Sequence, residues 1–251
     1  MKVDRVAFKD GDMLLVEYSL FVKETDELIE TTKESDAKLY NKYDPERSYE
    51  PELFIIGEGR YIEGIEEALR NAEEVGKEYE VVIPPEKAYG ERKPEKVKVF
   101  SRKIFLRNNI VPEIGKEVTI GNNTGRIISV GGGRVTVDFN HPLAGKTLKF
   151  VFKIVRMVED VEEKIKHLVK RRVKKIDLDQ IKVDLEEGEA RIELPKEMRM
   201  SDGIHILKFL VAKDIIVWIE GIKQVLFIDR FTSDEFGKGG EESESGSEEA
   251  A

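Results

Sequence analysis

The chain contains no cysteine among its 251 residues. That absence excludes disulfide bonds, thiolate nucleophiles and cysteine-ligated zinc sites. Only three histidines are present, His141, His167 and His205, and their spacing is too wide for a local metal motif. A histidine-rich run is also lacking. We therefore expect neither a metal ion nor any other cofactor.

Long hydrophobic runs are missing as well. The longest apolar stretches, 204–212 and 225–228, fall far short of the ~20 residues that a membrane-spanning helix needs. Met1 is followed by alternating polar and apolar residues and not by the apolar core of a signal peptide. The sequence thus predicts a soluble, cytoplasmic protein without a membrane partner.

Charge is plentiful but uneven. The formal net charge is -9, and residues 232–251 hold seven acidic residues against one lysine. This tail carries -6 of the total, which leaves only -3 for the rest of the chain. Because the tail is mostly Gly, Ser and Glu, it is predicted to be disordered. The small remaining charge gives no indication of nucleic acid as a partner.

Apolar periodicity organises the first part of the chain. Alternation with a period of two predicts strands at 13–22, 28–31, 53–56, 78–83 and 147–158. Apolar residues three and four positions apart predict one helix over 62–72, with Glu63, Glu66 and Glu67 in its first turns. The segment 39–52 is rich in Tyr, Asn, Asp, Pro and Ser, so we interpret it as a long loop.

Residues 91–137 follow a different pattern. Short strands are predicted at 96–99, 117–120, 126–130 and 134–137, separated by Asn and Gly turn dipeptides. The strand at 147–158 then resumes the earlier pattern, which is typical of an inserted domain. The two ends of such an insert, Gly90 and Asp138, must lie near one another.

Residues 159–231 are predicted to form a separate α+β domain. A helix is followed by a hairpin of 181–185 and 189–194, a helix over 203–213 capped by Asp202, and a second hairpin of 215–220 and 223–229. The order is αββαββ. The apolar stretches 204–211 and 215–219 could form a homodimer or could be core, and the sequence leaves both readings open.

Four segments resemble one family. They are Phe54-Ile-Ile-Gly-Glu-Gly59, Ile62-Glu-Gly-Ile-Glu-Glu-Ala-Leu69, Pro84-Pro-Glu-Lys-Ala-Tyr-Gly90, and the run from Asp138 to Phe150 that contains Asn140-His-Pro-Leu-Ala-Gly145. Over roughly residues 1–158 the chain resembles the FKBP family of peptidyl-prolyl isomerases, and within it the SlyD-like and long archaeal branch with a domain inserted in the flap.

The resemblance implies a fold and a domain organisation. The fold class is α+β, an FKBP-like antiparallel sheet wrapped on a short helix, with a small inserted β domain and a C-terminal α+β domain. The isomerase domain would be discontinuous, comprising 1–90 and 138–158. The insert would cover 91–137, the C-terminal domain 159–231 and the acidic tail 232–251.

The resemblance also implies roles for pocket residues. Tyr18 would form a wall, the backbone N–H of Ile62 would hold one substrate carbonyl, the Tyr89 hydroxyl would bind the other, and Phe150 would close the pocket. Phe54 would add to the lining, with Leu143 and Ala144 at the rim. His141, beside Asn140 and Pro142, is interpreted as a structural residue that makes hydrogen bonds rather than as an acid or base.

Three positions depart from the family pattern. Glu30 stands where the family usually has aspartate, Ile29 replaces an aromatic residue, and Ile65 stands at the pocket floor where tryptophan is common. We keep Glu30 among the catalytic residues and Ile29 and Ile65 among those that bind substrate. The resemblance then implies an intact but aliphatic pocket with modest activity on short peptides.

The insert is more apolar than so small a unit can easily bury. The apolar side chains that stand out are Phe100, Ile104, Phe105 and Leu106. In SlyD-like proteins the insert binds unfolded polypeptide, so the resemblance implies that these residues contact client chains. The alternative, that they form the insert's own core, is nearly as strong.

The predicted function is that of a peptidyl-prolyl cis-trans isomerase with holdase activity, acting on unfolded or partly folded proline-containing polypeptides. One alternative is a non-catalytic chaperone or scaffold with a degenerate pocket. Another is an RNA-associated factor that uses the basic stretch from Lys164 to Lys175. This last reading is weaker, because acids precede the cations as the helix dipole favours.

Overall fold

A computed structural model of the chain describes residues 8–236. The chain divides into two units, Met1–Val158 and Glu159–Ala251. Of the tail that was expected to be disordered, Ser233–Phe236 form a short 3-10 turn. Residues 237–251, which make up the rest of that tail, lie outside the described residues.

The part of the N-terminal unit that the structure describes, residues 8–158, contains nine strands and three α-helices. The strands are β1 (Met13–Val22), β2 (Glu27–Thr31), β3 (Glu52–Ile55), β4 (Glu78–Ile83), β5 (Val97–Ser101), β6 (Glu117–Ile120), β7 (Asn123–Gly131), β8 (Arg134–Asp138) and β9 (Leu148–Val158). The helices are α1 (Glu34–Leu39), α2 (Glu63–Arg70) and α3 (Arg102–Arg107).

The larger sheet is antiparallel and follows the order β2-β1-β9-β4, with β3 also paired to β1. Its long central strands β1 and β9 are in a register that sets Tyr18 opposite Phe152 and Leu20 opposite Phe150. Because side chains alternate between the two faces of a strand, one face of both strands is apolar and buried. Ile65 and Leu69 of α2 belong to the same buried cluster. The α+β class predicted from the sequence, an antiparallel sheet packed on a short helix, is therefore confirmed.

Helix α2 packs close to β4 through a glycine. A Cβ atom added to Gly64 would lie 2.3 Å from Cγ2 of Ile83, a distance that real Cβ atoms essentially never show. Only the absence of a side chain lets the helix approach the strand this closely. The residue before the helix, Ile62, is its extended N-cap, with φ -61° and ψ 146°.

The insert is a four-stranded antiparallel sheet in the order β5-β8-β7-β6, completed by α3. Its core consists of Phe105 from α3 and apolar residues of the strands, Val118, Ile127, Val135 and Val137. The sequence analysis described this segment as strands alone, so α3 is a correction. A six-residue helix is too short to show a clear helical period.

Hydrogen bonds join the two segments that connect the large sheet to the insert, around residues 90–93 and 138–145. Arg92 Nη2 donates to Asp138 Oδ2 at 2.7 Å, and the N–H of Gly145 donates to the carbonyl of Gly90 at 2.8 Å. The side chain of Asn140 both donates to and accepts from the backbone of Lys93. The segment around Asn140 therefore fixes where the insert leaves and re-enters the sheet.

The segment predicted as a loop over 39–52 is preceded by α1, which the sequence analysis missed. Its residues carry few apolar side chains, and only Ala37 is buried. A polar six-residue helix of this kind gives no amphipathic signal.

The C-terminal unit contains helices α4 (Val161–Arg172) and α5 (Ile204–Trp218) and strands β10 (Lys182–Glu186), β11 (Glu189–Glu193) and β12 (Gln224–Ile228). Asp160 caps α4 by accepting from the N–H of Glu163 at 2.8 Å. β10 pairs antiparallel with β11, and β12 pairs parallel with β11.

Two predictions for this unit are wrong. Residues 215–220 do not start a second hairpin, because α5 continues to Trp218 and the order is αββαβ. Asp202 does not cap the helix: the N-cap is Gly203, with φ 75°, and it makes no side-chain cap hydrogen bond. A helix that is apolar on nearly every side has no polar face to reveal its period, so its last turn was mistaken for a strand.

Candidate active site

Four aromatic rings meet on the buried face of the large sheet. Tyr18 lies 5.7 Å from Phe54 in an edge-to-face arrangement and 5.7 Å from Phe150, measured between ring centroids. Phe150 in turn stacks on Phe152 at 4.8 Å. The rings come from β1, β3 and β9, and the register of these strands brings them together. We call Tyr18, Phe54, Phe150 and Phe152 the ring cluster.

Helix α2 and the turn before it adjoin the ring cluster. Ile65 is buried in the same core, and Ile62 is partly buried against it. Gly57 and Gly59 have φ values of 82° and 69°, in the left-handed region that favours glycine. The chain turns at these two glycines, and Ile62, three residues later, is the N-cap of α2. The carbonyl of Ile62 accepts from the N–H of Ile65 at 3.0 Å.

Tyr61 is a residue of this site that the sequence analysis missed. Its ring stacks on Phe54 with 4.0 Å between centroids and an interplanar angle of 21°. Residues just before a helix N-cap often pack back on the helix and its neighbours. An aromatic residue directly before the N-cap Ile62 could therefore have predicted that Tyr61 packs at this site.

Tyr89 lies outside the ring cluster, although its neighbour Ala88 packs against the same core. The Tyr89 ring is 38% exposed and stacks on His141 almost in parallel, with 4.1 Å between centroids and an angle of 5°. The N–H of Leu143 donates to Nδ1 of His141 at 3.2 Å. The expectation that His141 makes structural hydrogen bonds thus fits, and the stacking on Tyr89 is a contact that the sequence did not predict.

The rim residues are placed by the same segment. Leu143 is partly buried against the core of the large sheet, and Ala144 is buried. Ile29 also packs on this core from β2. Ile29 and Leu143 thus contact the apolar core of which the ring cluster is part.

Two glutamates flank Tyr18. Its hydroxyl donates to Oε2 of Glu52 at 3.4 Å, whereas Oε1 of Glu30 accepts from Nη2 of Arg47 at 3.3 Å. The sequence analysis had singled out Glu30 and placed Glu52 at the end of a loop. Glu52 is in fact the first residue of β3.

Burial and these carboxylates favour the neutral phenols. Desolvation raises the pKa of Tyr18, and the negative charges of Glu52 and Glu30 raise it further. Burial likewise raises the pKa of Tyr89, with a contribution from Glu30. Both hydroxyls therefore stay protonated at neutral pH and can donate hydrogen bonds.

The insert residues divide into two groups. Phe105 is 2% exposed and forms the insert core, with Phe100 packed against it. Ile104 and Leu106 are 43% and 49% exposed. In this structure Phe105 is thus not accessible to another chain, because its ring fills the small core. Four exposed residues that the sequence analysis had not named as binding residues lie on the same unit: Val99, Val111, Ile114 and Ile128.

A groove of about 330 Å³ lies between α2 and β4. It is lined by Ala68, Tyr79, Val81 and other residues, and Lys87 and Glu67 pair at its edge. None of the residues predicted to bind substrate lines it. Because the groove contains none of the predicted binding residues, we place the candidate active site at the ring cluster and not in the groove.

Residues 8–236 contain neither a metal-binding cluster nor a membrane-spanning helix. No three His, Asp or Glu side chains in this range are grouped so that they could hold a metal ion. The helices of the same range are all too short or too polar to cross a bilayer. Two cations of the basic stretch on α4, Arg171 and Arg172, are bound to Asp214, which argues against a role for them in contacting phosphates.

Three family models match consecutive parts of the chain. A model described as FKBP-type peptidyl-prolyl cis-trans isomerase matches residues 5–105. One described as FKBP26, IF domain matches residues 102–143, and one described as FKBP26 C-terminal matches residues 161–232.

Individual proteins are similar over the N-terminal part. A short-type peptidyl-prolyl cis-trans isomerase of Methanocaldococcus jannaschii is 43% identical over 154 residues, which cover 61% of this chain and 96% of that protein. The FKBP-type isomerase SlyD of Helicobacter pylori is 41% identical over 123 residues, 47% of this chain and 65% of that protein. An FKBP-type 16 kDa isomerase of Escherichia coli is 33% identical over 112 residues, 43% of this chain and 74% of that protein.

Proposed function

Since the chain belongs to the family of FKBP-type peptidyl-prolyl cis-trans isomerases and is an enzyme of that type, we propose that the ring cluster and its rim are where it binds a prolyl residue. The observation that carries this proposal is the meeting of Tyr18, Phe54 and Phe150, from three strands far apart in sequence, beside the start of α2. Tyr18, Phe54 and Phe150 are only 3%, 1% and 0% exposed. The proline ring would therefore lie against the partly exposed neighbours of the cluster, Tyr61, Ile62 and Leu143.

Rotation about an X-Pro bond faces a barrier of ~18 to 20 kcal/mol, and no covalent bond needs to break. An apolar pocket withdraws water from the amide and favours the twisted transition state, in which the C–N double-bond character is lost. The backbone N–H of Ile62 and the hydroxyl of Tyr89 would hold the carbonyls on either side. Both groups are neutral donors, which suits carbonyl oxygens.

Replacing Tyr89 by phenylalanine tests the pocket. We expect kcat/KM on a proline peptide to fall about tenfold, because one hydrogen bond to the rotating segment is lost. The ring and its stacking on His141 are retained, so stability should change little. Tyr40→Phe is the matched control, since the Tyr40 hydroxyl bonds to Asp26 near the β1–β2 turn. A Tyr89→Phe enzyme that catalyses proline-limited refolding at the wild-type rate would show that the pocket is assigned wrongly.

We also infer a holdase function in which the insert captures non-native chains. Ile104 and Leu106 support this inference, because large apolar side chains exposed on a small unit often mark interaction sites. A captured chain would present its prolyl bonds to the pocket at a raised local concentration. Phe105 and Phe100 would act indirectly, by holding α3 in place.

The double variant Ile104→Ser/Leu106→Ser should lose most of the suppression of client aggregation, measured by light scattering. Its kcat/KM on a short proline peptide should stay close to that of the wild type, because the ring cluster is untouched. The control is Val82→Ser, which removes a similarly exposed apolar side chain from the isomerase sheet. Unchanged suppression by the double variant would remove the insert as the client site.

We further propose that the C-terminal unit forms a homodimer. Four exposed apolar side chains, Ile206, Phe209, Ile216 and Val217, share one face of α5 with the exposed Lys213. The opposite face is buried through Val211 and Ile215. A helix that is apolar on both sides normally has both sides covered, and a second copy offers the same surface in a two-fold arrangement. Sedimentation equilibrium of the full chain measures this association directly.

A further inference from the structure

Along β1, the strand paired with it changes from β3 to β2, and Tyr18 lies at this change. β3 pairs with Met13–Val16, whereas β2 pairs with Ser19–Val22. Tyr18 falls between these two ladders, so its side chain is flanked by the ends of two different strands. Each of those strands contributes one glutamate beside it.

The pairing register explains why both glutamates are near Tyr18. Glu52 is opposite Val16, and Glu30 is opposite Leu20. Cross-strand partners and alternate residues of one strand share a face, so both carboxylates lie on the face of Tyr18 as its diagonal neighbours. At this diagonal separation of ~7 to 8 Å between backbones, a long side chain such as glutamate can still reach its neighbour.

The two carboxylates differ in their partners. Glu30 is bound by Arg47, whose guanidinium also lies 5.7 Å from the ring of Tyr49. Glu52 instead accepts the hydroxyl of Tyr18. The Tyr18 side chain is almost fully buried, and a buried phenol needs an acceptor for its proton. The carboxylate that meets this need comes from β3, not from β2.

We propose that Glu52 is the residue that positions Tyr18 in the prolyl pocket, and that Glu30 does not have this role. The proposal rests on the function proposed above for the ring cluster. Glu52 contacts no substrate: it fixes the hydroxyl and thereby the tilt of the Tyr18 ring against Phe54 and Phe150. A ring free to turn would present a wall of variable shape to the proline.

A double-mutant cycle on catalysis tests this positioning role. Glu52→Leu, which removes the acceptor, is expected to lower kcat/KM on a proline peptide about fivefold. Glu52→Gln retains an acceptor oxygen and should restore most of the activity. In a Tyr18→Phe background, Glu52→Leu should change kcat/KM by less than about twofold, because the partner hydroxyl is already absent.

The control is Glu17→Leu, which removes a glutamate adjacent to Tyr18 but on the opposite face of β1, where it pairs with Lys153. It should leave kcat/KM near the wild-type value. Two results would overturn the proposal. The first is that Glu52→Leu lowers kcat/KM by the same factor in wild type and in Tyr18→Phe. The second is that the effect of Glu30→Gln on kcat/KM disappears in Tyr18→Phe, whereas the effect of Glu52→Leu does not.

A second measurement is independent of activity. It is the carbon-13 NMR spectrum of protein labelled at the tyrosine Cζ atoms, in which the Tyr18 signal is identified as the one that is lost in Tyr18→Phe. The chemical shift of this signal should change in Glu52→Leu but not in Glu17→Leu. If the wild-type chain proved unable to isomerise prolyl bonds, the proposed function would be refuted. The Tyr18 signal would still report on the hydrogen bond from Tyr18 to Glu52. A Tyr18 signal unmoved by Glu52→Leu would refute the positioning role even in an active enzyme.

Discussion

Replacing Asp214 by alanine is expected to destabilise the C-terminal unit by about 3 to 5 kcal/mol. Asp214 Oδ2 lies 2.9 Å from Nη2 of Arg171 and 2.7 Å from Nη2 of Arg172, so one carboxylate of α5 binds two guanidinium groups of α4. The Asp214 and Arg171 side chains are only 9% and 5% exposed. Removing the carboxylate takes away the counterion that the buried Arg171 shares with Arg172, and breaking a buried ion pair at one partner is costly.

The chain provides its own probe for this measurement. Its single tryptophan is Trp218, at the end of the helix that carries Asp214. Urea unfolding followed by tryptophan fluorescence therefore reports on the C-terminal unit. A typical domain is stable by only about 5 to 15 kcal/mol, so the variant should unfold at a much lower urea concentration.

Asp229→Ala is the matched control, because it also removes an aspartate that is paired with a cation in the same unit. Asp229 pairs with Lys208 but is 37% exposed, so its loss should cost at most about 1 kcal/mol. Equal urea midpoints for the two variants would contradict the view that burial makes the Asp214 cluster costly to break.

Replacing Phe209 by glutamate is expected to weaken the proposed homodimer by at least about thirtyfold in Kd. Phe209 is 69% exposed and lies near the middle of the apolar face of α5, between Ile206 and Ile216. A carboxylate at the centre of that face would remove the large apolar ring from the interface and lie opposite its own symmetry mate, and pairing with the exposed Lys213 four residues later would offset only part of this cost. Sedimentation equilibrium over a range of concentrations gives the change in Kd.

Leu185→Glu serves as the control for this experiment. It introduces the same charge at an exposed apolar position of the same unit, on β10 instead of α5. It should leave the Kd nearly unchanged. Dimers of equal strength in Phe209→Glu and wild type would show that the apolar face of α5 is not the interface.

Local patterns predicted the elements whose two sides differ in polarity. β9 alternates apolar and polar residues, and α2 carries its apolar residues three and four apart, so their positions agree with the structure to within one or two residues. β1 was also placed correctly, although both of its faces are buried. The elements that were missed or mistaken are those without such a contrast. α1 is mostly polar, α3 is a single turn and a half, and α5 is apolar on nearly all sides.

The pocket residues came from the family resemblance and not from periodicity. A tyrosine at position 18 and a phenylalanine at position 150 are ordinary core residues when each is considered alone. The structure adds two facts about them: the rings of Tyr18 and Phe150 are 5.7 Å apart, and Tyr89 sits away from the rings, stacked on His141. Which of the predicted residues act on substrate stays a prediction.

Composition, motifs and short-range periodicity are properties of the chain alone, and they were enough to predict the α+β class, the family, the absence of cysteine chemistry and the amphipathic strands. The folded structure was needed to show which glutamate meets the hydroxyl of Tyr18, that Phe105 is core while Ile104 and Leu106 are exposed, and that Asp214 binds two arginines. These facts depend on strand register and helix packing, which join residues up to several tens of positions apart, and no local pattern encodes that pairing.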